Sequence, residues 1–369
     1  MATPARPEPL SYGSYLKVAD LLRCQEPESD KLGAPAHDEL LFIITHQTYE
    51  LWFKQIIHEL DAALRLMASS DTQKRVDERD IGRVLKHLER VVAIQRVIVQ
   101  QIDILETMTP LDFLDFRDLL APSSGFQSAQ FRAIENKLGM LRARRLTYNA
   151  QPYEAVLPEA ERAKATAPEA QASLFDRIDA WLSRMPFLSF RDYDFWRMYN
   201  QQVNAMLGRE EEAIRSAHAG NAEALAAQLA GLARTREEFG AVFDTARYEE
   251  ARQQGQRRLS YPAFLSALMI SLYRDEPILQ TPFRLLTALI DIDENLSLWR
   301  YRHMLMVSRM IGARIGTGGS AGQDYLKRTV DAHRVFQDLF SLSTYLLPRS
   351  ALPPLPPQVA GELGFRYAP

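Results

Sequence analysis

Two of the chain's 7 histidines occupy positions where helical periodicity calls for a large apolar side chain. Counted at steps of 3 and 4, Phe42, His46, Tyr49, Phe53, Ile56, Leu60, Ala63 and Met67 fall on one stripe. Leu289, Ile292, Leu296, Trp299, His303, Met306 and Met310 form a second stripe of the same kind. A buried imidazole needs a partner for each ring nitrogen or costs desolvation energy. For one such residue alone, a hydrogen-bonded core histidine is the simpler reading. Two on separate long apolar helices favour a shared ligand. A haem between the helices would take one as its iron ligand and leave the other on the opposite side.

The other histidines read differently. His58 shares a polar face with Lys54, Asp61 and Arg65, and His87 lies between Lys86 and Glu89. His218 sits at a helix end, His37 precedes a helix start, and His333 lies in a short polar stretch. All five are expected to be structural or surface residues. There is no His-Glu-x-x-His and no Glu-x-x-His pair, so zincin and di-iron carboxylate sites lack their ligand spacing. Glu50, Glu59 and Asp61 read as charges on solvated helix faces.

Arg117 follows Phe113 by four residues, which puts an aromatic wall beside a bidentate carboxylate binder. An aromatic amino acid would match that face, and pairing of Arg117 with Asp115 or Asp118 is the plainer alternative. The glycine-rich loop at 316–322 has no preceding strand and no following Lys, which argues against phosphate binding. It suits a loop that closes over a ligand, with Thr317 and Ser320 as its hydrogen-bonding groups.

The elements that must position these groups are helices. The periodicity predicts one helix over 38–67, a second over 76–108 and a short one after Pro110. Another is predicted over 127–141, and a long one runs through Pro282 to Met310. A last helix is predicted over 330–346. The first ten residues are expected to be flexible, and the proline-rich tail from 351 to be extended. The region 142–255 reads as a helical insertion in a single domain spanning 11–350. The fold class is all-α, a helical bundle enclosing a haem.

The whole chain sets outer limits. At 369 residues it has room for a large core, and 46% hydrophobic with 25% charged residues is an ordinary globular composition. A net charge of −3 gives no global reason to bind nucleic acid or an anionic membrane. The short basic run at 142–145 reads as a solvated helix end. A single cysteine, Cys24, excludes a disulfide framework and suits a reducing compartment. No apolar run approaches the length of a bilayer span, so a cytoplasmic protein is expected.

Several long stretches then carry a family resemblance. They are YGSY at 12–15, HDELLFIITHQTYELWF at 37–53 and LETMTPLDFLDFR at 105–117. SGFQS at 124–128, RAIENKLG at 132–139, RLSY at 258–261, WRYRH at 299–303 and GTGGS at 316–320 continue the series. In this order they resemble the tryptophan 2,3-dioxygenase family from about residue 10 to 350, loosely between 142 and 255.

The resemblance implies a dioxygenase that inserts O2 across the indole C2–C3 bond of L-tryptophan. The product is N-formyl-L-kynurenine, in the first step of tryptophan degradation by the kynurenine pathway. It implies one haem b per subunit, ferrous in the active state, with His303 as axial iron ligand and Trp299 beside it on the proximal side. His46 would be the distal residue that hydrogen-bonds the indole nitrogen. Arg117 and Thr317 would hold the amino-acid end, with Phe42 and Phe113 as walls and Ser124 and Gly125 near bound O2. Tyr12 and Tyr15 would complete the pocket of a neighbouring subunit in a homotetramer. Ala321, Gln323 and Asp324 depart from the family's loop pattern. From the residues alone, two other readings stay open: a bis-histidine haem protein, and a helical interaction protein without a cofactor.

Overall fold

The computed structural model describes residues 9–68, 78–145, 152–190, 193–312, 314, 327 and 333–363, and not the side chains of Glu78, Phe187, Phe190 and Glu362. Its elements are helical, apart from a two-residue antiparallel pairing of Ser189–Phe190 with Tyr193–Asp194. After the short helix α1 (Tyr12–Leu16), three long helices form the frame. They are α2 (Glu39–Ala68), α3 (Glu78–Gln100) and α10 (Pro277–Ile311), and α3 packs against both of the others.

The stripe from Tyr49 to Met67 is buried on α2, and Ile81, Val84, Leu88, Val91 and Ile98 are buried on α3. These faces interlock because residues at i, i+3 and i+4 project from one side of a helix. The helix predicted over 76–108 is interrupted at Gln101, where the side chain turns inward and donates to the Thr45 carbonyl at 2.9 Å. Ile102–Leu105 resumes the helix, while residues 76 and 77 lie outside the described residues.

Two shorter helices close the frame over the site. In α4 (Pro110–Arg117), Thr109 and Asp112 form a capping box and Pro110 sits in the first turn, where its missing N–H costs nothing. Helix α5 (Ala129–Leu138) is capped by Ser128 and stopped by Gly139, whose φ of 111° only glycine adopts readily. A Cβ at Gly139 would also stand 2.7 Å from Ser173 Oγ.

The middle of the chain contributes α6 (Leu174–Leu182), α7 (Phe195–Ala217) and α8 (Ala222–Phe243). Trp181, Tyr199 and Phe239 of this region join the same apolar core as the frame, which α9 (Tyr261–Leu272) completes.

Two expectations near the C-terminus are corrected. The helix predicted over 330–346 shrinks to α11 (Gln337–Ser341) and a 3-10 turn, with residues 328–332 outside the description. The Asp293 carboxylate of α10 takes the backbone amides of Val335 and Phe336 at 3.0 and 2.6 Å, and these amides are therefore not used in a helical ladder. The tail is not extended throughout. Pro357 begins a helix, α12 (Pro357–Leu363), which buries Val359 and Leu363 in the core. Residues 364–369 and 1–8 lie outside the description.

Candidate active site

Helices α2 and α10 both line a cavity of about 300 Å³, in the size class of cofactor and ligand sites. Helix α2 contributes Phe42, His46, Tyr49, Glu50 and Phe53, and α10 contributes Trp299, Arg300, His303, Met306 and Met310. Phe113 and Arg117 of α4 and the turn Ser124-Gly125-Phe126 form further wall. Phe131, Arg132 and Glu135 of α5, with His333, complete it.

His46 is held by its own helix. Its Nδ1 lies 2.7 Å from the carbonyl oxygen of Phe42, and a carbonyl only accepts, so Nδ1 carries the proton. Nε2 is left with a lone pair and is an acceptor. The Phe42 and His46 rings lie 4.1 Å apart, and Phe113 stands 5.8 Å from Phe42. The imidazole has accessible surface because it fronts the cavity. The surrounding protein atoms still withhold solvation from its cation, which lowers its pKa against the Phe42 hydrogen bond and the Glu50 charge.

His303 lies deeper. Burial, followed by the proximity of His46, pulls its pKa down to about 4, so the imidazole is neutral near pH 7. The Trp299 ring stacks on it at 5.2 Å and 8°. Trp299 is in turn packed by Tyr49 and Phe131, so the orientation of the imidazole is fixed by aromatic contacts. Arg117 is mostly buried, and Asp118 stands 3.7 Å from its guanidinium, on an exposed side chain.

The cavity thus brings together Phe42, His46, Phe113, Arg117, Ser124, Gly125, Trp299 and His303 from the sequence-based set. Ser124 also caps the turn that follows it, its hydroxyl accepting from the Phe126 amide. Thr317 and Ser320 lie outside the described residues. Tyr12 and Tyr15 are 79% and 71% exposed and do not line the cavity of their own chain.

The sequence reading missed a buried polar cluster at one end of the cavity. Glu135, 1% exposed, receives Arg132 at 3.1 Å, Arg145 at 2.5 Å and Arg300 at 2.8 Å. Burial opposes its ionisation, yet the charges of Arg145, Arg132 and Arg300 and the His333 contact hold its carboxyl well below the usual range. His333 is 3% exposed and belongs to this cluster rather than to the surface. Arg145, expected at a solvated helix end, is buried as well. Glu59, expected on a solvated face, is also buried and takes Gln55, His87 and Arg90 at 2.7, 2.5 and 2.9 Å. Each carboxylate has one partner within a helical turn, but others, His87 and Arg90 for Glu59 and Arg300 for Glu135, lie 28, 31 and 165 residues away.

Comparison with known proteins matches the same chain length. The family model described as tryptophan 2,3-dioxygenase covers residues 5–346. A tryptophan 2,3-dioxygenase of Bdellovibrio bacteriovorus is 48% identical over 359 residues, 97% of this chain and 99% of the relative. The Dictyostelium discoideum protein of that name is 46% identical over 97% of this chain and 88% of its own length. The Mus musculus one is 44% identical over 94% and 85%. With similarity of this extent spanning every wall of the cavity described here, this chain belongs to the tryptophan 2,3-dioxygenase family.

Proposed function

We infer that this chain opens the indole ring of L-tryptophan with O2 to give N-formyl-L-kynurenine, and that the cavity between α2 and α10 is where it does so. The observation that carries the reading is the pairing of two neutral imidazoles, His46 and His303, with Arg117 around one largely apolar cavity.

The chemistry of the walls fits a haem. An imidazole that is to hold haem iron must be neutral, with a free lone pair, and burial gives His303 that state. Apolar side chains such as Met306, Met310 and Phe131 suit a porphyrin face. We assign His303 as the residue that would hold the iron of haem b and Trp299 as the residue that fixes the His303 ring. Bound haem supplies the iron and the oxidative chemistry that the side chains lack.

The chain's own residues bind and orient. His46 Nε2 accepts the indole N–H, because Nδ1 is committed to the Phe42 carbonyl. Phe42 and Phe113 wall the indole. Arg117 takes the substrate carboxylate, and Thr317 assists at the ammonium end. Ser124 and Gly125 shape the turn beside the O2 position. Fixing both ends of the substrate can lower the barrier by several kcal/mol, on the order of the effective-molarity gains of aligned reactants.

We further propose a cytoplasmic homotetramer in which Tyr12 and Tyr15 complete a neighbouring pocket. Support comes from their exposure outside their own cavity and from the single cysteine. Among the described residues no helix is long and apolar enough to cross a membrane. The test is an optical assay of the reduced, haem-loaded protein mixed with L-tryptophan and then with O2. The N-formylkynurenine chromophore should appear, and its absence from protein with an intact Soret band would refute the reading.

A further inference from the structure

Among the described residues, the polar cluster at the end of the cavity carries more positive than negative charge. Three guanidiniums, Arg132, Arg145 and Arg300, converge on one carboxylate, Glu135. Asp293 acts on Arg300 only at a distance, because both its oxygens are taken by backbone amides. Burial holds His333 towards its neutral form, so it adds no further positive charge. Buried charge without compensation is expensive, and a surplus of this kind calls for an anion.

The surplus faces the cavity. Arg132 and Arg300, 8% and 5% exposed, both line it. The Nε of Arg132 and the Nε2 of His333 are buried and make no hydrogen bond to any described residue. Arg300 precedes His303 by three residues on α10, so the two are neighbours on the helix surface. Both line the cavity, so a group large enough to span it can meet both side chains. Arg117 reaches the cavity from a different helix, α4, which also carries Phe113, whose ring lies 5.8 Å from Phe42.

We propose that Arg132 and Arg300, braced by Glu135, bind the propionate carboxylates of the haem rather than the carboxylate of the substrate. This rests on the haem reading above. Glu135 pre-orders the two guanidiniums by holding one arm of each, and the remaining donors meet the incoming carboxylates. The cluster thereby fixes the rotation of the porphyrin about the His303 bond.

The test compares haem with its dimethyl ester, in which the two carboxylates are neutral. Apoprotein of the wild type, Arg132→Met and Arg132→Lys is titrated with each and followed at the Soret band. Helicity is checked by circular dichroism, and Arg300→Met serves as a second probe if Arg132→Met loses helicity. The wild type should prefer the diacid by about tenfold or more, the scale of a hydrogen bond to a charged group. Arg132→Met should lose most of that preference and Arg132→Lys should keep it. The preference for L-tryptophan over its amide should be unchanged by Arg132→Met. An equal diacid preference in wild type and Arg132→Met overturns the proposal. So does loss of the tryptophan-over-amide preference in its place, which assigns the cluster to the substrate. Failure of every protein to give a Soret band with either porphyrin would refute the haem reading beneath it.

Discussion

On the proposed assignment, replacing His46 with alanine removes the acceptor for the indole N–H. The tautomer is fixed by the 2.7 Å contact of Nδ1 with the Phe42 carbonyl, so Nε2 cannot donate. A substrate with N–H gains that hydrogen bond. An analogue with sulphur in place of N–H is nearly the same size and gains none. Loss of one such bond, with a polar group left unpaired, costs about 1–3 kcal/mol. That corresponds to about 5–150-fold in affinity. Equilibrium binding to the ferrous protein without O2 measures it, using L-tryptophan and its benzothiophene analogue on wild type and His46→Ala. Wild type should prefer tryptophan by that factor, and the preference should collapse towards unity in the variant. A preference that survives His46→Ala would refute the tautomer argument, because nothing else in the cavity has been assigned as the N–H acceptor.

Three further outcomes follow from the same geometry. His303→Ala should lose axial ligation of the haem iron in the optical spectrum while His46→Ala retains it; equal loss in both would support bis-histidine ligation instead. Arg117→Leu should lower kcat/KM for L-tryptophan by about 10–100-fold, chiefly through KM, and should abolish the preference over tryptamine. An unchanged preference would remove Arg117 from the carboxylate role. Burial opposes ionisation of Glu59, but its bonds to His87, Arg90 and Gln55 hold the pKa below the free value of 4.5. A depressed carboxylate pKa stabilises the fold above the unfolded value, and that stability is lost as pH falls through the folded one. Glu59→Gln should cost about 1–3 kcal/mol at neutral pH, at the low end for a buried pair because Arg90 is half exposed. Urea midpoints should show the variant losing less stability than wild type on acidification below 4.5. Parallel pH profiles would count against the pairing.

Much of the frame was legible in the sequence because its signal is local. The stripes on α2, α3 and α10 repeat every 3 or 4 residues, and burial follows them. His46 and His303 stood out for the same reason, as polar residues in an apolar register. Their separate roles were not legible from register, since both violate it in the same way. Their division into iron ligand and substrate partner came from resemblance, and the Phe42 carbonyl contact supplies a physical reason for the His46 half. The Glu135 cluster was invisible because Arg300 lies 165 residues away from the carboxylate it meets. On its own helix each member reads as an ordinary surface charge. The stretch before α11 failed for a related reason, since Asp293 captures amides more than forty residues downstream and overrides helix propensity. The tail misled because proline excludes a helix interior but suits a first turn, and Pro357 occupies a first turn.

The central claim is that this cavity joins L-tryptophan to both atoms of one O2 molecule. Single-turnover reaction of the reduced, haem-loaded protein with L-tryptophan and isotopically labelled O2 tests it directly, with mass analysis of the product. The account predicts N-formyl-L-kynurenine carrying label at both new oxygen positions, and no such product from His303→Ala. Product labelled at one position only, or oxidised tryptophan with the ring unopened, would contradict it.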